Sequence, residues 1–504
     1  MSLTEVLHSL LDEAATARPD QPAVSTDISS LTYGELAAAS HNAARRLHAE
    51  GVRRGDRVVI TTPDALTIAI ALHAASRVGA LFSVLHEQVR DRPLEHVLTD
   101  CEPTVMITDD PNAAATAAAH NVRVLTPQDL NRSSPTSEPL PTPLPVDGAC
   151  LIYTSGTTSL PKAVVSTHQQ MLFAARAIQK RLNYRADDVI YSPMPLSFDY
   201  GLYQLFLTFL AGAQLRVGSV AEVGPPLLRS LESSNATVLA SVPSVTDRLA
   251  WLLRRARKAP QLRLLTNTGA ALDHGTVQAL RTAIPTLSIQ LMYGLTECKR
   301  TAIMPPDGDL ERPGSSGLAL PGTDVFVIDD DGSRLPPNEV GQFVVRGPNV
   351  MAGYWRRPEL TAERFHRAEG LFPELRTGDY GWLDDDGYLY FSGRRDDLYK
   401  ERGFRVSVTE VEAAARMVEG VTAAAVLPPG PRTNNKATLA VVTDLTPPDV
   451  LDKMHGLIED YKIPRRCVPI EALPTNNNGK VDRRALADLI DVHTLTTTRK
   501  ASTP

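Results

Sequence analysis

The first half of the chain carries short runs of apolar and β-branched residues, and a longer stretch with a helical pattern separates each run from the next. The six runs are residues 57–62, 104–108, 151–155, 189–192, 237–242 and 262–266. Apolar runs of this length, bounded by turn residues, are typical of strands that are buried on both faces. Their alternation with helices predicts βαβ units, and therefore parallel sheets with helices on both faces.

From about residue 324 the pattern changes to shorter strand-like segments with turn signals between them. Two further helices and two further strands are predicted at residues 409–418, 450–461, 422–428 and 437–443. We therefore predict an α/β fold in two domains. The N-terminal domain, residues 1–395, has βαβ layers plus a small β-barrel-like section, and a small α+β C-terminal domain follows at residues 396–504. The chain has no repeat of roughly 20 to 50 residues, which excludes solenoids and propellers.

The overall composition narrows the class of protein and its partners. With 43% hydrophobic and 22% charged residues, the 504-residue chain resembles ordinary globular proteins of about three structural units. The 52 basic and 58 acidic side chains give a net charge of -6, which argues against nucleic acid or an anionic membrane as a partner. No segment reaches the roughly 18 apolar residues of a membrane span. The acidic N-terminus predicts an amphipathic surface helix instead of a secretory signal.

The four cysteines are too widely spaced for a zinc site or a disulfide framework. They are Cys101, Cys150, Cys298 and Cys467, and none belongs to a C-x-x-C pair or lies beside a histidine cluster. We therefore expect a cytoplasmic protein with free thiols.

The segment YTSGTTSLPKAVVSTH, from Tyr153 to His168, follows a buried-strand pattern and precedes a helical one. Its hydroxyl groups and glycine belong to Thr154, Ser155, Gly156, Thr157 and Thr158. Together with backbone N–H groups they would form a nest for phosphate oxygens. The segment is not a Walker A loop, because Pro161 precedes Lys162 and no Ser or Thr follows it. A plain Ser/Thr-rich turn is the alternative.

Five other segments share a pattern with this loop: TGAAL at 268–272, MYGLTE at 292–297, RTGDYG at 376–381, GRRDD at 393–397 and NGKVDR at 478–483. In order and spacing the six segments resemble the superfamily of adenylate-forming enzymes, which includes acyl-CoA synthetases, adenylation domains of nonribosomal peptide synthesis and beetle luciferase. The resemblance covers nearly the whole chain. Ser159 and Ala163 depart from it, because the family more often has glycine at both positions.

The resemblance implies ATP and Mg²⁺ as cofactors. It places Tyr293 against the adenine, Thr296 at the α-phosphate, Glu297 at the metal ion and Lys162 in the phosphate loop. Further nucleotide contacts are implied for Gly269, Ala270, Ala271, Asp379 and Arg394, the last two at the ribose.

Two C-terminal residues receive roles from the same resemblance. Lys480 would bridge the substrate carboxylate and the α-phosphate during adenylation, and Asp396 would be the hinge about which the mobile C-terminal domain rotates between two reaction steps. Without the resemblance, Lys480 would be interpreted as a solvated lysine, and the residue type of Asp396 would not indicate a hinge.

The resemblance also implies an acyl pocket that begins at Asp199, which in amino-acid-activating members binds the substrate ammonium. The other expected pocket residues are Tyr200, Tyr203, Ala240, Thr266, Thr268, Met292, Arg300 and Thr301. The two tyrosines would shorten the cavity and favour a small or polar acid. Arg300 either pairs with a second substrate carboxylate or faces phosphate and solvent beside Lys299.

We therefore expect an AMP-forming ligase that converts ATP and a carboxylic acid, favoured as an amino acid, to acyl-AMP and pyrophosphate. A thioester on a separate acyl or peptidyl carrier protein would follow, because the 24 residues after Lys480 are too few for a fused carrier. One alternative is an acyl-CoA ligase for a short or medium non-amino acid, with coenzyme A as acceptor. A remote alternative is a nucleotide-binding protein without catalysis.

Overall fold

The computed structural model describes residues 6–132, 139–154, 161–367, 373–394, 398–401, 404–430, 433, 436–455, 457–458, 460–475 and 481–490. The chain divides into two compact units. The first comprises Met1–Phe326, Val344–Thr377 and Asp385–Leu389, and the second comprises Val327–Phe343, Gly378–Asp384 and Tyr390–Pro504. The predicted boundary at residue 396 and the hinge Asp396 lie outside the described residues and stay predictions.

The helices are present mainly in the first unit. They are α1 Ser9–Ala17, α2 Tyr33–Ala49, α3 Ala65–Arg77, α4 Asp91–Cys101, α5 Pro111–Ala119, α6 Pro127–Leu130, α7 His168–Leu182, α8 Asp199–Ala211, α9 Leu227–Ser233, α10 Pro243–Leu253, α11 His274–Ala283, α12 Pro358–Arg364, α13 Val408–Met417 and α14 Pro447–Met454. The predicted helix at 450–461 therefore starts and ends earlier than expected, since Thr446 caps α14 and the helix stops at Met454. In the described part of the chain, no helix has the length and apolar character that crossing a membrane requires.

The strands are β1 Pro22–Ser25, β2 Ser30–Thr32, β3 Arg57–Thr61, β4 Leu81–Val84, β5 Val105–Thr108, β6 Arg123–Leu125, β7 Gly148–Thr154, β8 Lys162–Thr167, β9 Val189–Ser192, β10 Gln214–Val217, β11 Val238–Ser241, β12 Leu264–Asn267, β13 Ser288–Tyr293, β14 Ala302–Ile303, β15 Ser315–Ala319, β16 Asp324–Ile328, β17 Gly341–Arg346, β18 Gly353–Tyr354, β19 Phe365–Arg367, β20 Pro373–Leu383, β21 Tyr388–Arg394, β22 Leu398–Glu401, β23 Phe404–Ser407, β24 Val421–Leu427, β25 Thr438–Thr443 and β26 Arg466–Pro469. All six sequence runs form strands, in β3, β5, β7, β9, β11 and β12.

Two mainly parallel sheets organise the first unit. In one, β13, β12, β11, β9, β10 and β1 follow one another as parallel neighbours. In the other, β7, β4, β3, β5 and β6 do the same. These pairings confirm the prediction of parallel sheets. The hairpin from β7 to β8, which pairs antiparallel, was not predicted.

Alternate strand residues pack on opposite faces of each sheet, which explains why the strands read as continuous apolar runs. Ile190 of β9 and Ile60 of β3 belong to one core shared by both sheets, to which α2, α3, α7 and α8 contribute. Tyr191 packs on the other face with α9 to α11, and Val59 with α4 and α5. The first unit is thus built from alternating helical and sheet layers.

The second unit has an α+β core of its own. Strands β24 and β25 are antiparallel, β25 and β26 are parallel, and α13 packs on β24. This agrees with the predicted α+β character of the C-terminal part.

Helix α3 is buried along its whole length, and its His73 lies in the shared core. His73 Nδ1 is 2.7 Å from Ala69 O, and the ring packs against Phe206 and Phe209. Burial lowers the pKa of His73 to about 4. Because the unfolded chain would bind this proton at about pH 6.5, protonation favours unfolding as the pH falls from about 6.5 towards 4.

We therefore expect the His73→Gln variant to lose less thermal stability than the wild-type protein between about pH 7.5 and pH 5. The amide can still donate to Ala69 O but takes up no proton. Thermal unfolding midpoints at several pH values measure the effect. His120→Gln is the matched control, because exposed His120 makes the same contact to the carbonyl four residues earlier. Equal acid sensitivity of all three proteins would contradict the expectation.

Candidate active site

The carboxyl ends of neighbouring parallel strands gather the predicted site residues at one sheet edge. Strands β9, β11, β12 and β13 end at Ser192, Ser241, Asn267 and Tyr293. The segments that follow carry Asp199, the 268–271 turn and the 294–301 turn. The sheet register therefore brings together residues that are about 100 positions apart in sequence.

The phosphate loop spans the β7–β8 hairpin. Ser155, Gly156, Thr157 and Thr158 lie outside the described residues, so their phosphate contacts stay predictions. At the base of the hairpin, Thr154 Oγ1 donates to Lys162 O at 3.4 Å. The Lys162 ammonium lies 4.1 Å from the ring centroid of Tyr354, within the range of a cation–π contact.

Glu297 is a buried carboxylate held by the segment that runs from Asn349 to Tyr354. Its Oε1 accepts a hydrogen bond from Tyr354 OH at 2.6 Å, and its backbone O accepts one from Met351 N at 2.9 Å. Asn349 Nδ2 donates to Cys298 O and Arg300 O at 3.2 and 3.1 Å.

A single carboxylate of this kind fits Mg²⁺, which takes one or two carboxylates and completes its shell with water and nucleotide oxygens. Within the described residues, no group of three or more His, Cys, Asp or Glu side chains is placed to hold a metal ion by itself.

The chain turns back on itself between Tyr293 and Thr301, where Thr301 N donates to Tyr293 O at 2.8 Å. A Cβ atom on Gly294 would lie 2.4 Å from Lys299 O and 2.7 Å from Arg300 Cα. Lys299 has a φ of +66°, a left-handed conformation that costs a non-glycine residue roughly 1–2 kcal/mol. The turn directs both Lys299 and Arg300 into the interior.

Asp199, at the start of α8, lies between these two cations. Lys299 Nζ is 3.0 Å from Asp199 Oδ1, and Arg300 Nη1 is 3.6 Å from Oδ2. Lys299 is fully buried and Arg300 is 5% exposed. Although the first distance is short, neither Lys299 Nζ nor Asp199 Oδ1 makes an aligned hydrogen bond within the described residues. One acidic and two basic groups leave the cluster with a formal charge of +1.

The tyrosines of α8 line the same cluster. The Arg300 guanidinium lies 4.9 Å from the ring of Tyr200, and Lys299 Nζ lies 5.6 Å from the ring of Tyr203. Tyr200 OH is 2.7 Å from Thr266 Oγ1, and burial raises its pKa to about 12. Burial, reinforced by the Asp199 charge, raises the pKa of Tyr203 far above its usual value.

The remaining predicted pocket positions lie on the same strand ends. Ala240 is buried in β11, Thr268 Oγ1 is 3.4 Å from Met292 O, and Thr301 Oγ1 is 3.3 Å from Cys298 Sγ. In the 268–271 turn, Gly269 has a φ of +92°, and Ala270 O accepts a hydrogen bond from Asn267 Nδ2. Ala271 belongs to this turn, and Tyr293 and Thr296 belong to the segment that turns back between Tyr293 and Thr301. Their contacts with a nucleotide or an acid stay predictions.

Three further expected residues belong to the second unit. Asp379 is a buried residue of β20 in the second unit, and Arg394 ends β21 with its side chain outside the described residues. Lys480 also lies outside them. The ribose and catalytic roles of these residues therefore stay predictions.

The sequence did not predict the contacts of Lys299 and Tyr354. Lys299 closely follows the MYGLTE segment, so the adjacent Lys-Arg pair could have indicated charged side chains at the candidate site. Tyr354 meets Glu297 across 57 residues, so no local pattern could reveal the contact.

Comparisons with known proteins agree on one family. A model described as AMP-binding enzyme matches residues 11–355. Feruloyl-CoA synthase of Amycolatopsis sp is 30% identical over 93% of this chain and 95% of its own. Delta-poly-L-ornithine synthetase of Acinetobacter baumannii (strain AB307-0294) is 30% identical over 96% of this chain, which spans 36% of that protein's length. The structure of VinN with L-aspartate is 38% identical, with a TM-score of 0.70 over 77% of this chain and 98% of that one.

The Gly294→Ala substitution is expected to destabilise the first unit by about 1–3 kcal/mol, because the added methyl group forces the turn apart. Thermal unfolding measures the loss. Gly224→Ala is the matched control, since the nearest atom to its Cβ would be 3.7 Å away. An unchanged midpoint for Gly294→Ala would show that the turn is not packed as described.

Proposed function

The chain belongs to the AMP-binding enzyme family and is an AMP-forming ligase, and we propose that its substrate is an acidic amino acid. In the first step a carboxylate oxygen bonds to the α-phosphorus of ATP while the bond to pyrophosphate breaks. In the second step a thiolate attacks the acyl carbonyl carbon, and AMP leaves with the electron pair. We propose the thiol of a separate carrier protein as the acceptor.

The cluster of Asp199, Lys299 and Arg300 carries this proposal. A neutral amino acid would bring only an ammonium to a cluster whose charge is already +1, so one buried cation would keep no anionic partner. Uncompensated buried charge is costly. An acidic amino acid brings an ammonium for Asp199 and a second carboxylate for the two cations, so the formal charge of the cluster stays at +1 instead of rising to +2 and each charged group has an oppositely charged neighbour. The similarity to VinN with L-aspartate supports the same substrate class.

The phenol rings of α8 agree with a short substrate. Tyr200 and Tyr203 are 7% and 1% exposed, and their rings lie under the two cations. Rings in that position would shorten the acyl pocket, which favours a small or polar acid. A long alkyl chain would have to displace them.

The chain's own residues would prepare the nucleotide as follows. The loop after Thr154 would receive the phosphates, with Lys162 at its far end, and Glu297 would hold Mg²⁺ together with phosphate oxygens. The ion supplies charge neutralisation for the triphosphate. Lys480 would stabilise the charge that develops as the carboxylate approaches phosphorus.

Coenzyme A is the alternative acceptor, and the similarity to feruloyl-CoA synthase over 95% of its length supports it. That alternative also allows an acid without an amine. The charges of Asp199, Lys299 and Arg300 argue against a simple aryl or alkyl acid, because such an acid offers none of them a partner.

ATP–pyrophosphate exchange is expected with acidic amino acids and not with neutral or aryl acids. In Lys299→Met, the apparent affinity for the acidic amino acid should fall about 10-fold to 100-fold, as for the loss of a hydrogen bond to a charged group. Lys180→Met is the control, since Lys180 is an exposed lysine of α7. Exchange only with neutral amino acids or with non-amino acids would overturn the substrate class. Adding coenzyme A or a carrier protein then identifies the acceptor.

The Lys480→Ala variant should lose adenylation by roughly 100-fold to 1000-fold, because a preorganised charge contact to the reacting groups is removed. Its ATP affinity, measured by titration calorimetry, should stay close to that of the wild-type protein. Lys453→Ala, at an exposed position of α14 in the same unit, serves as the control. Undiminished exchange by Lys480→Ala would remove this lysine from the mechanism.

A further inference from the structure

Tyr354 contacts both the phosphate-loop lysine and the acidic residue expected at the metal ion. Its OH donates to Glu297 Oε1 at 2.6 Å, and its ring centroid lies 4.1 Å from Lys162 Nζ. Tyr354 is 5% exposed. One buried side chain thus touches two groups of opposite charge that come from different segments of the first unit.

The surrounding structure fixes the position of this tyrosine. Its backbone pairs with Val164 in the short antiparallel bridge between β18 and β8, and its N–H donates to Thr361 Oγ1 at 3.0 Å. The ring packs edge-on against Phe365, with centroids 5.4 Å apart. Gly353 has a φ of +128°, so the approach to Tyr354 uses a conformation that favours glycine.

The contact with Glu297 has a chemical consequence. The 2.6 Å separation from Glu297 Oε1 is that of a hydrogen bond in which the phenol O–H donates and the carboxylate oxygen accepts. One carboxylate oxygen of Glu297 is then engaged, and the orientation of the carboxylate is set. A carboxylate that is oriented in advance binds a metal ion with less loss of side-chain freedom.

The contact with Lys162 works in a different way. A lysine near an aromatic face is attracted to it by the charge distribution of the ring, and this attraction is weaker than an ion pair with a phosphate in a buried site. The ring therefore confines the ammonium beside the loop, and an ammonium held there in advance binds a phosphate with less loss of side-chain freedom.

We propose that Tyr354 is a positioning residue that sets the Mg²⁺ affinity of Glu297 through its hydroxyl group and confines Lys162 through its ring. The inference rests on the proposed use of ATP and Mg²⁺. The inference assigns one function to the hydroxyl group of Tyr354 and another to its ring. A substitution that removes only the hydroxyl group and one that removes both should therefore have different effects.

The test measures ATP binding by titration calorimetry as a function of Mg²⁺ concentration, with no acid present. In Tyr354→Phe, which keeps the ring, the Mg²⁺ concentration for half-maximal enhancement of ATP binding should rise about 10-fold to 100-fold. ATP binding in EDTA should be unchanged. In Tyr354→Leu, ATP binding in EDTA should weaken as well, because Lys162 loses the ring.

Tyr153→Phe is the matched control. Its hydroxyl group also donates to a carboxylate, Asp100 Oδ2, at 3.0 Å beside the same loop, but it does not touch Glu297. The Mg²⁺ midpoint of this variant should equal that of the wild-type protein. In the double variant Tyr354→Phe/Glu297→Gln the shift should be no larger than in Glu297→Gln alone, since both changes remove one interaction.

An unchanged Mg²⁺ midpoint in Tyr354→Phe, an equal shift in Tyr153→Phe, or additive shifts in the double variant would each overturn the inference. A purely structural role would lower thermal stability and the fraction of active protein without moving the midpoint. The proposed substrate class is tested separately. It is wrong if no acidic amino acid supports pyrophosphate exchange although the Mg²⁺ dependence of ATP binding is as described.

Discussion

One tight turn between Tyr293 and Thr301 fixes both sides of the candidate site. It forms only because Gly294 has no side chain to meet the carbonyl of Lys299. The same few residues hold Glu297 against Tyr354 and bring Lys299 to Asp199. The proposed nucleotide side and the proposed acid side are therefore set by one piece of backbone. The left-handed conformation of Lys299 is strain of the kind that persists where the surrounding structure determines it.

The charges of Asp199 and of the two buried cations beside it are a poor way to stabilise a fold. An apolar group of similar size at each position would generally be as stable or more so, since desolvation cancels much of the attraction within a buried ion pair. The carboxylate of Asp199 also benefits from the N-terminus of α8, so it needs fewer cations than the two it has. The surplus charge of Lys299 and Arg300 is thus best understood as affinity for an anion that the fold itself does not provide.

The sequence predicted the strands well because they are buried on both faces and so appear as continuous apolar runs. The sequence does not predict β8, Lys162–Thr167, because that strand directly follows the phosphate loop and its pattern is continuous with the loop. The directions in which side chains point were harder to predict from the sequence. Lys299 points inward because of a positive φ, which no property of lysine announces, and Tyr354 meets Glu297 through tertiary pairing of β18 with β8. The acyl pocket positions came from the family resemblance, and residue type alone would not have found them.

The charge balance also indicates how strongly the proposed pocket would discriminate between different acids. An acid without a second carboxylate leaves a buried cation unpaired, and a site built for a polar group rejects a substrate lacking it much more strongly than it rejects a change in apolar size. An acid that lacks only the amine leaves Asp199 between two cations, where it already has partners. Selection by this cluster therefore depends more on the second carboxylate than on the ammonium, which reverses the emphasis that Asp199 alone suggests.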